Sequence, residues 1–166
     1  MKNIVNIKDA PETAWEHGPH WGGADKDLTP AMQPRRGRIG MVATRVAPGT
    51  SACPFHTHQR EDEIFFILSG RGIFRYGAEI SEIGPGDAIS CPAGSGVAHQ
   101  LANPFDEELV YLSIGKDDAD EVCTYPDTGK IMVRSLGLVG SLQARDYMDG
   151  EPPLPRIFGL YKDSVK

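Results

Sequence analysis

The chain has 166 residues, 40% of them hydrophobic, enough for one domain whose core needs no disulfide or metal staple. Seventeen Lys and Arg against 23 Asp and Glu leave a net charge of −6. Apart from Arg35, Arg36 and Arg38, read as a solvated strand entrance, there is no basic footprint of the kind that phosphate neutralisation requires, so a nucleic-acid partner is not expected.

The first segment, residues 1–36, reads as an irregular arm in which Trp15, His17, His20 and Trp21 lie among glycines and prolines. Its N-terminus, MKNIVNIKDAPE, shows no apolar leader. The HGPH stretch at 17–20 could supply ligands but has no carboxylate at ligand spacing, so a lid or a subunit-contact loop is the expectation. Short apolar runs follow, punctuated by many of the 19 glycines and 13 prolines. They predict strands at 39–46, 56–58, 63–68, 72–76, 88–91, 97–103 and 109–114. The turns between them are APGTSACP, LSGRG, EIGPGD, PAGSG and NPFDEE. Strands this short and evenly spaced indicate an all-β sandwich or barrel core over 37–115. The longest apolar run, 64–68, is far too short to span a bilayer, so no membrane partner is expected. Residues 116–166 turn polar, then Gly-rich, then Pro-rich, and form an extension rather than an independent domain. Only 141–148 hints at helical spacing. PDTGK at 126–130 lacks the length and second glycine of a phosphate loop and reads as a turn.

The chemistry is concentrated in GTSACPFHTHQREDEIFFILSG, residues 49–70. Alternation along a strand points His56 and His58 the same way, and places Glu63, Phe65 and Ile67 together on one face of the next strand. If that face is the barrel interior, Glu63 lies beside two imidazoles among apolar walls, a costly arrangement unless a cation compensates it. A fourth donor is available from GDAISCPAGSGVAHQLAN, residues 86–103, where His99 shares a face with Val97 and Leu101. Three imidazoles and one carboxylate leave coordination positions open, the pattern of a catalytic metal site rather than a structural one.

These two segments resemble the paired motifs of the cupin superfamily: a glycine, HxH, a glutamate and a closing glycine, then a glycine, PxG, a histidine and an asparagine. The resemblance covers roughly 38–115 and implies a cupin-type β-barrel (a double-stranded β-helix, or jelly roll). It also implies metal ligands His56, His58, Glu63 and His99, framework positions Gly70, Gly86, Pro92 and Asn103, and a homodimer. Two departures fall in loops: one extra residue between Gly49 and His56, and four residues between Gly94 and His99.

Other residues carry weaker signals. Arg45 and Tyr111 are the polar candidates for contacting a substrate from the barrel wall. Cys53 and Cys91 each precede a proline and read as buried small hydrophobes. Cys123 reads as incidental. Three cysteines without a CxxC pair make no disulfide framework, and a reducing cytoplasm is the expected location. The ligand set accepts one divalent ion per chain, with Fe, Mn, Zn, Ni and Cu all compatible. A small polar metabolite is the expected substrate. The chemistry is either isomerase-type work on a sugar or sugar phosphate, or a dioxygenase reaction; a non-catalytic small-ligand binding or sensing module is the alternative.

Overall fold

The computed structural model describes residues 3–34 and 38–164. Arg35 and Arg36 lie outside the described residues. Thirteen strands and one α-helix are present among them. In chain order the strands are β1 (Glu12–Glu16), β2 (Gly22–Asp27), β3 (Ile39–Val46), β4 (Thr57–His58), β5 (Glu63–Ser69), β6 (Gly72–Tyr76) and β7 (Glu79–Ile83). Then come β8 (Ala88–Cys91), β9 (His99–Ala102), β10 (Leu109–Lys116), β11 (Val122–Tyr125), β12 (Lys130–Val133) and β13 (Leu138–Ser141), followed by helix α1 (Arg156–Ser164).

The strands form three sheets, ordered β1-β2-β3-β10-β5-β8, β13-β12-β11-β4 and β7-β6-β9. Every strand pairing is antiparallel. The result is the jelly-roll barrel of an all-β chain. β4 is only two residues long, yet it closes the wall: it pairs with β11, and an isolated bridge joins His56 to His99 at the start of β9. The side chains of Thr57 and Thr124 share a 2.7 Å hydrogen bond across the β4–β11 pair.

Alternation fixes which face of each strand is buried. On β5, Phe65 and Ile67 point inward and are almost completely buried, whereas Ile64, Phe66 and Leu68 point out and stay partly exposed. The core joins Phe65 and Ile67 to Val46, Ile83, Cys91, Leu101, Leu109 and Tyr111. Burying a side chain such as Ile67 or Leu109 stabilises the fold by about 1.5–3 kcal/mol. The β5–β6 turn depends on Gly70, whose φ of 73° is left-handed and whose missing Cβ would lie 2.0 Å from the Glu108 carbonyl oxygen.

Both flanks contribute strands. The arm folds into the β1–β2 hairpin, whose loop carries His17 and His20, and β2 pairs with β3. The extension supplies β11–β13. The hinted helix at 141–148 is not formed: Ser141 is the last residue of β13, paired with Lys130, and the segment after it has no packing partner, with Leu142, Tyr147 and Met148 all exposed. The helix lies instead at Arg156–Ser164. It begins after Pro152, Pro153 and Pro155, residues that cannot extend a helix from upstream. None of its residues is buried. Among the described residues no helix is long and apolar enough to cross a membrane.

Candidate metal centre

Four side chains from three strands and the loop before β4 converge on one point inside the barrel. His56 precedes β4, His58 ends it, Glu63 opens β5 and His99 opens β9. Their ligand atoms all lie within 4.8 Å of one another. Glu63 Oε2 is 2.9 Å from His99 Nε2, 3.3 Å from His58 Nε2 and 3.9 Å from His56 Nε2; the His56 and His58 Nε2 atoms are 3.0 Å apart. Spacings near 3–4 Å suit donors arranged around one cation at bond lengths of about 2.1 Å. Two imidazole nitrogens facing each other at 3.0 Å also cannot both present lone pairs without an intervening proton or ion. The four residues therefore fit a metal ion, and the donor set (three borderline nitrogens and one hard oxygen) suits a divalent transition metal.

Local structure aims each donor. The His56 Nδ1–H donates to the Pro54 carbonyl at 2.7 Å, which leaves Nε2 as the lone-pair nitrogen facing the cluster. The His99 ring lies between Phe65 and Phe74, with centroids 5.8 and 6.4 Å away, and is only 2% exposed. Glu63 has room because Gly115 stands opposite it on β10, where a Cβ would come within 3.5 Å of the Glu63 Cγ. At 21% side-chain exposure, Glu63 is the most open of the four.

The electrostatics are those of a tight cluster. Burial, with His99 and His58 acting the same way, brings the His56 imidazole down to about 4. Burial opposes the charge on Glu63, but hydrogen bonds from His58 and His99 outweigh it and hold the carboxyl well below its ordinary range. Burial likewise lowers His58, but Cys123 and Glu63 outweigh it and raise the ring to about 10. A negative Glu63 is thus held ready for a cation in a largely dry pocket.

The other candidates lie elsewhere. Arg45 is on the outward face of β3, opposite in parity to the inward Thr44 and Val46. Its guanidinium is bound by Glu12 at 2.7 Å and Glu108 at 2.5 Å, so it is not brought to the cluster. Tyr111 does point inward, but it is a core residue, T-stacked on Phe65 at 5.7 Å and hydrogen-bonded to Thr44. Burial raises its phenol well above the ordinary value. His17 and His20 sit on the exposed β1–β2 loop, where His20 Nδ1 is 3.0 Å from the Gly49 carbonyl. Cys91 is buried as expected, whereas Cys53 is only half-buried; desolvation pushes both thiols up to about 12.

Cys123 is not incidental. Its Sγ lies 3.3 Å from His58 Nδ1 because β11 pairs Cys123 directly with His58. Tyr125, two residues on, stacks at 6.1 Å on His56 and borders a cavity of about 600 Å³ also lined by Trp15, His17, Trp21, Phe55 and Lys130. The alternation Glu121, Cys123, Tyr125 was the available sequence signal for these residues, but four strand residues between polar turns are too few to stand out.

Residues 42–115 match the family model described as the cupin domain. An oxalate-binding protein of Thermotoga maritima is 33% identical over 70 residues, which cover 42% of this chain and 55% of that protein. The chain thus spans about half the length of this curated relative. Among solved structures, a sugar phosphate isomerase from a cupin superfamily of Silicibacter pomeroyi superposes with a TM-score of 0.71 at 21% identity, covering 86% of this chain and 97% of that one. A predicted oxalate decarboxylase of Thermotoga maritima gives 0.59 at 23% identity, covering 68% and 97%. At these identities the two structures establish a shared fold alone.

Proposed function

We propose that this chain, whose residues 42–115 match the cupin domain and whose fold is the cupin barrel, is a mononuclear metal-dependent enzyme acting on a small polar metabolite, with sugar or sugar-phosphate isomerisation as the leading reaction. One divalent ion per chain (Fe, Mn, Zn or Ni) is held by His56, His58, Glu63 and His99. The observation that carries this reading is the convergence of these four donors, complete and largely buried, around a carboxylate whose own cluster keeps it ionised.

Held by these four residues, such an ion would supply Lewis-acid chemistry, the help that moving a proton between neighbouring carbons requires. The chain's own contribution is positional. Phe65 and Phe74 exclude water around His99, and the Pro54 carbonyl fixes the His56 tautomer. The cavity beyond Tyr125 falls in the size range of metabolite pockets and offers Gln100 and Lys130 as polar contacts for the substrate's remote end. The test is solvent exchange. Metal-loaded protein in D2O should place deuterium beside the carbonyl of an aldose or ketose phosphate, and Glu63→Ala should abolish this. No exchange across a panel of such sugars would defeat the isomerase reading.

A second reading has its own observation: the relative at 33% identity is an oxalate-binding protein. On that reading the barrel holds a small dicarboxylate without turnover. Calorimetric titration with oxalate separates the two, because binding without consumption supports the module and weak or absent binding removes it. Dioxygenase chemistry remains the iron-specific variant of the enzyme reading, checked by oxygen consumption. The free state of Cys53, Cys91 and Cys123 suits a reducing cytoplasm, and the outward row Ile64, Phe66 and Leu68 suits a homodimer.

A further inference from the structure

His58 is held from both sides. Its Nε2 faces Glu63 and His56, and its Nδ1 faces away from them into a second, fully enclosed polar group. There Cys123 Sγ is 3.3 Å away, Glu61 Oε2 3.6 Å and Glu121 Oε1 3.7 Å. Glu121 is 0% exposed and Cys123 2%.

The carboxylate is not adrift in this pocket. Glu121 Oε1 accepts the Gln59 N–H at 2.7 Å and Oε2 the Arg60 N–H at 3.0 Å, so it is anchored to the two residues that directly follow His58. The Cys123 thiol lies 3.9 Å from Glu121 Oε1 and can donate to it. A directional chain results: His58 Nδ1–H donates to Sγ, S–H donates to the Glu121 carboxylate, and that carboxylate is fixed by backbone N–H groups. Glu61 is occupied differently, gripped by both guanidinium nitrogens of Arg134 and by the Asp118 N–H.

A neutral imidazole has one lone pair, and the proton's position decides which nitrogen bears it. A partner that takes the Nδ1 proton's hydrogen bond commits the lone pair to Nε2 and fixes the ring plane. We propose that Cys123 and Glu121 are positioning residues for His58, setting its tautomer and orientation as a ligand through this sulfur-to-carboxylate relay. Both lie beyond residue 115, outside the 42–115 stretch that matches the family model, so the extension completes a site whose ligands all belong to the barrel core. The inference rests on the metal-site reading proposed above.

The test uses Zn²⁺ and a competing chromophoric chelator on the full-length protein. Cys123→Val fills the site with a slightly larger apolar side chain and removes the hydrogen bond; it should weaken zinc binding about tenfold or more, while Cys123→Ser, which can still relay, should recover most of the loss. In the zinc-loaded wild type, 1H–15N spectra of labelled histidine should show a protected proton on His58 Nδ1, and that protection should vanish in Cys123→Val. Zinc affinity within twofold of wild type together with an unchanged Nδ1 proton would overturn the inference. If Cys123→Val does not fold, Glu121→Gln decides on the same two readouts: weaker zinc and faster Nδ1 exchange support the relay, and unchanged values defeat it. A wild type that takes up no zinc is carried through the same two readouts with Ni²⁺, Mn²⁺ and Fe²⁺ in turn, and one that binds none of them defeats the metal reading itself, and this inference with it.

Discussion

Glu63 sets the terms at the scale of single residues. A carboxylate buried among three imidazoles is costly alone, and His58 and His99 reduce that cost by hydrogen bonding to its charged form. The same couplings shape the pH dependence of the metal-free protein. The folded pKa of Glu63 lies below its ordinary 4.5, so the stability it brings is complete above that value and is lost as pH falls. The folded pKa of His58 is raised from 6.5 to about 10, so its contribution is complete below 6.5 and is lost as pH climbs through 10. His56, depressed to about 4, stays neutral on folding and adds to the loss as pH drops from 6.5 through 4. Thermal unfolding of the metal-free protein should therefore peak near pH 6.5 and decline on both sides. Glu63→Gln should flatten the alkaline decline; a wild-type melting temperature unchanged from pH 6.5 to 10 would contradict the coupling. The thiols of buried Cys91 and half-buried Cys53 give a simpler check. With burial holding Cys53 and Cys91 at about 12, neither should react with a thiol reagent at pH 8 until the protein is unfolded.

At the scale of elements, the turns carry as much information as the strands. Gly70 and Gly49 are both left-handed, with φ of 73° and 74°, but only Gly70 is crowded by backbone. Gly49→Ala should cost about 1–2 kcal/mol of backbone strain, and Gly70→Ala clearly more, because its Cβ collides with the Glu108 carbonyl. Denaturant unfolding compares them, and equal costs would contradict the close approach. The strands at Ile39–Val46, Gly72–Tyr76 and Ala88–Cys91 could be read from sequence to the residue, because apolar alternation and a flanking Gly or Pro bound each one. Others could not. β7 has four exposed residues of its five, and β1 is exposed throughout, so pairing rather than patterning creates them. β4 has two residues, and its place is set by β11, some 65 positions away. That distance also explains why the four converging donors were legible, as HxH, Glu and a later His, while Cys123 and Glu121 were not. They meet His58 only once the extension folds back.

For the whole molecule, the barrel leaves one face undressed. Ile64, Phe66 and Leu68 line the outer surface of β5 at 38–44% exposure, and α1 presents Ile157, Phe158, Leu160 and Tyr161 without burying any residue. A second copy covering the β5 face would remove that apolar surface from water. Light scattering should give twice the chain mass, and Phe66→Glu should shift it toward a single chain; a wild-type monomer at all concentrations would contradict this arrangement. The arm and the extension add strands to two different sheets, β1–β2 beside β3 and β11 beside β4, and the cavity at Trp15, Trp21 and Tyr125 exists only because both flanks fold onto the core.

The central claim is that His56, His58, Glu63 and His99 hold one metal ion, and elemental analysis tests it most directly. Protein purified without added metal or chelator should carry close to one equivalent of a divalent transition metal per chain. His58→Ala should lose nearly all of it, and His17→Ala, on the β1–β2 loop and outside the four-donor cluster, should keep it. Wild-type protein that holds no metal, even after exposure to Fe, Mn, Zn and Ni in turn, would contradict the account.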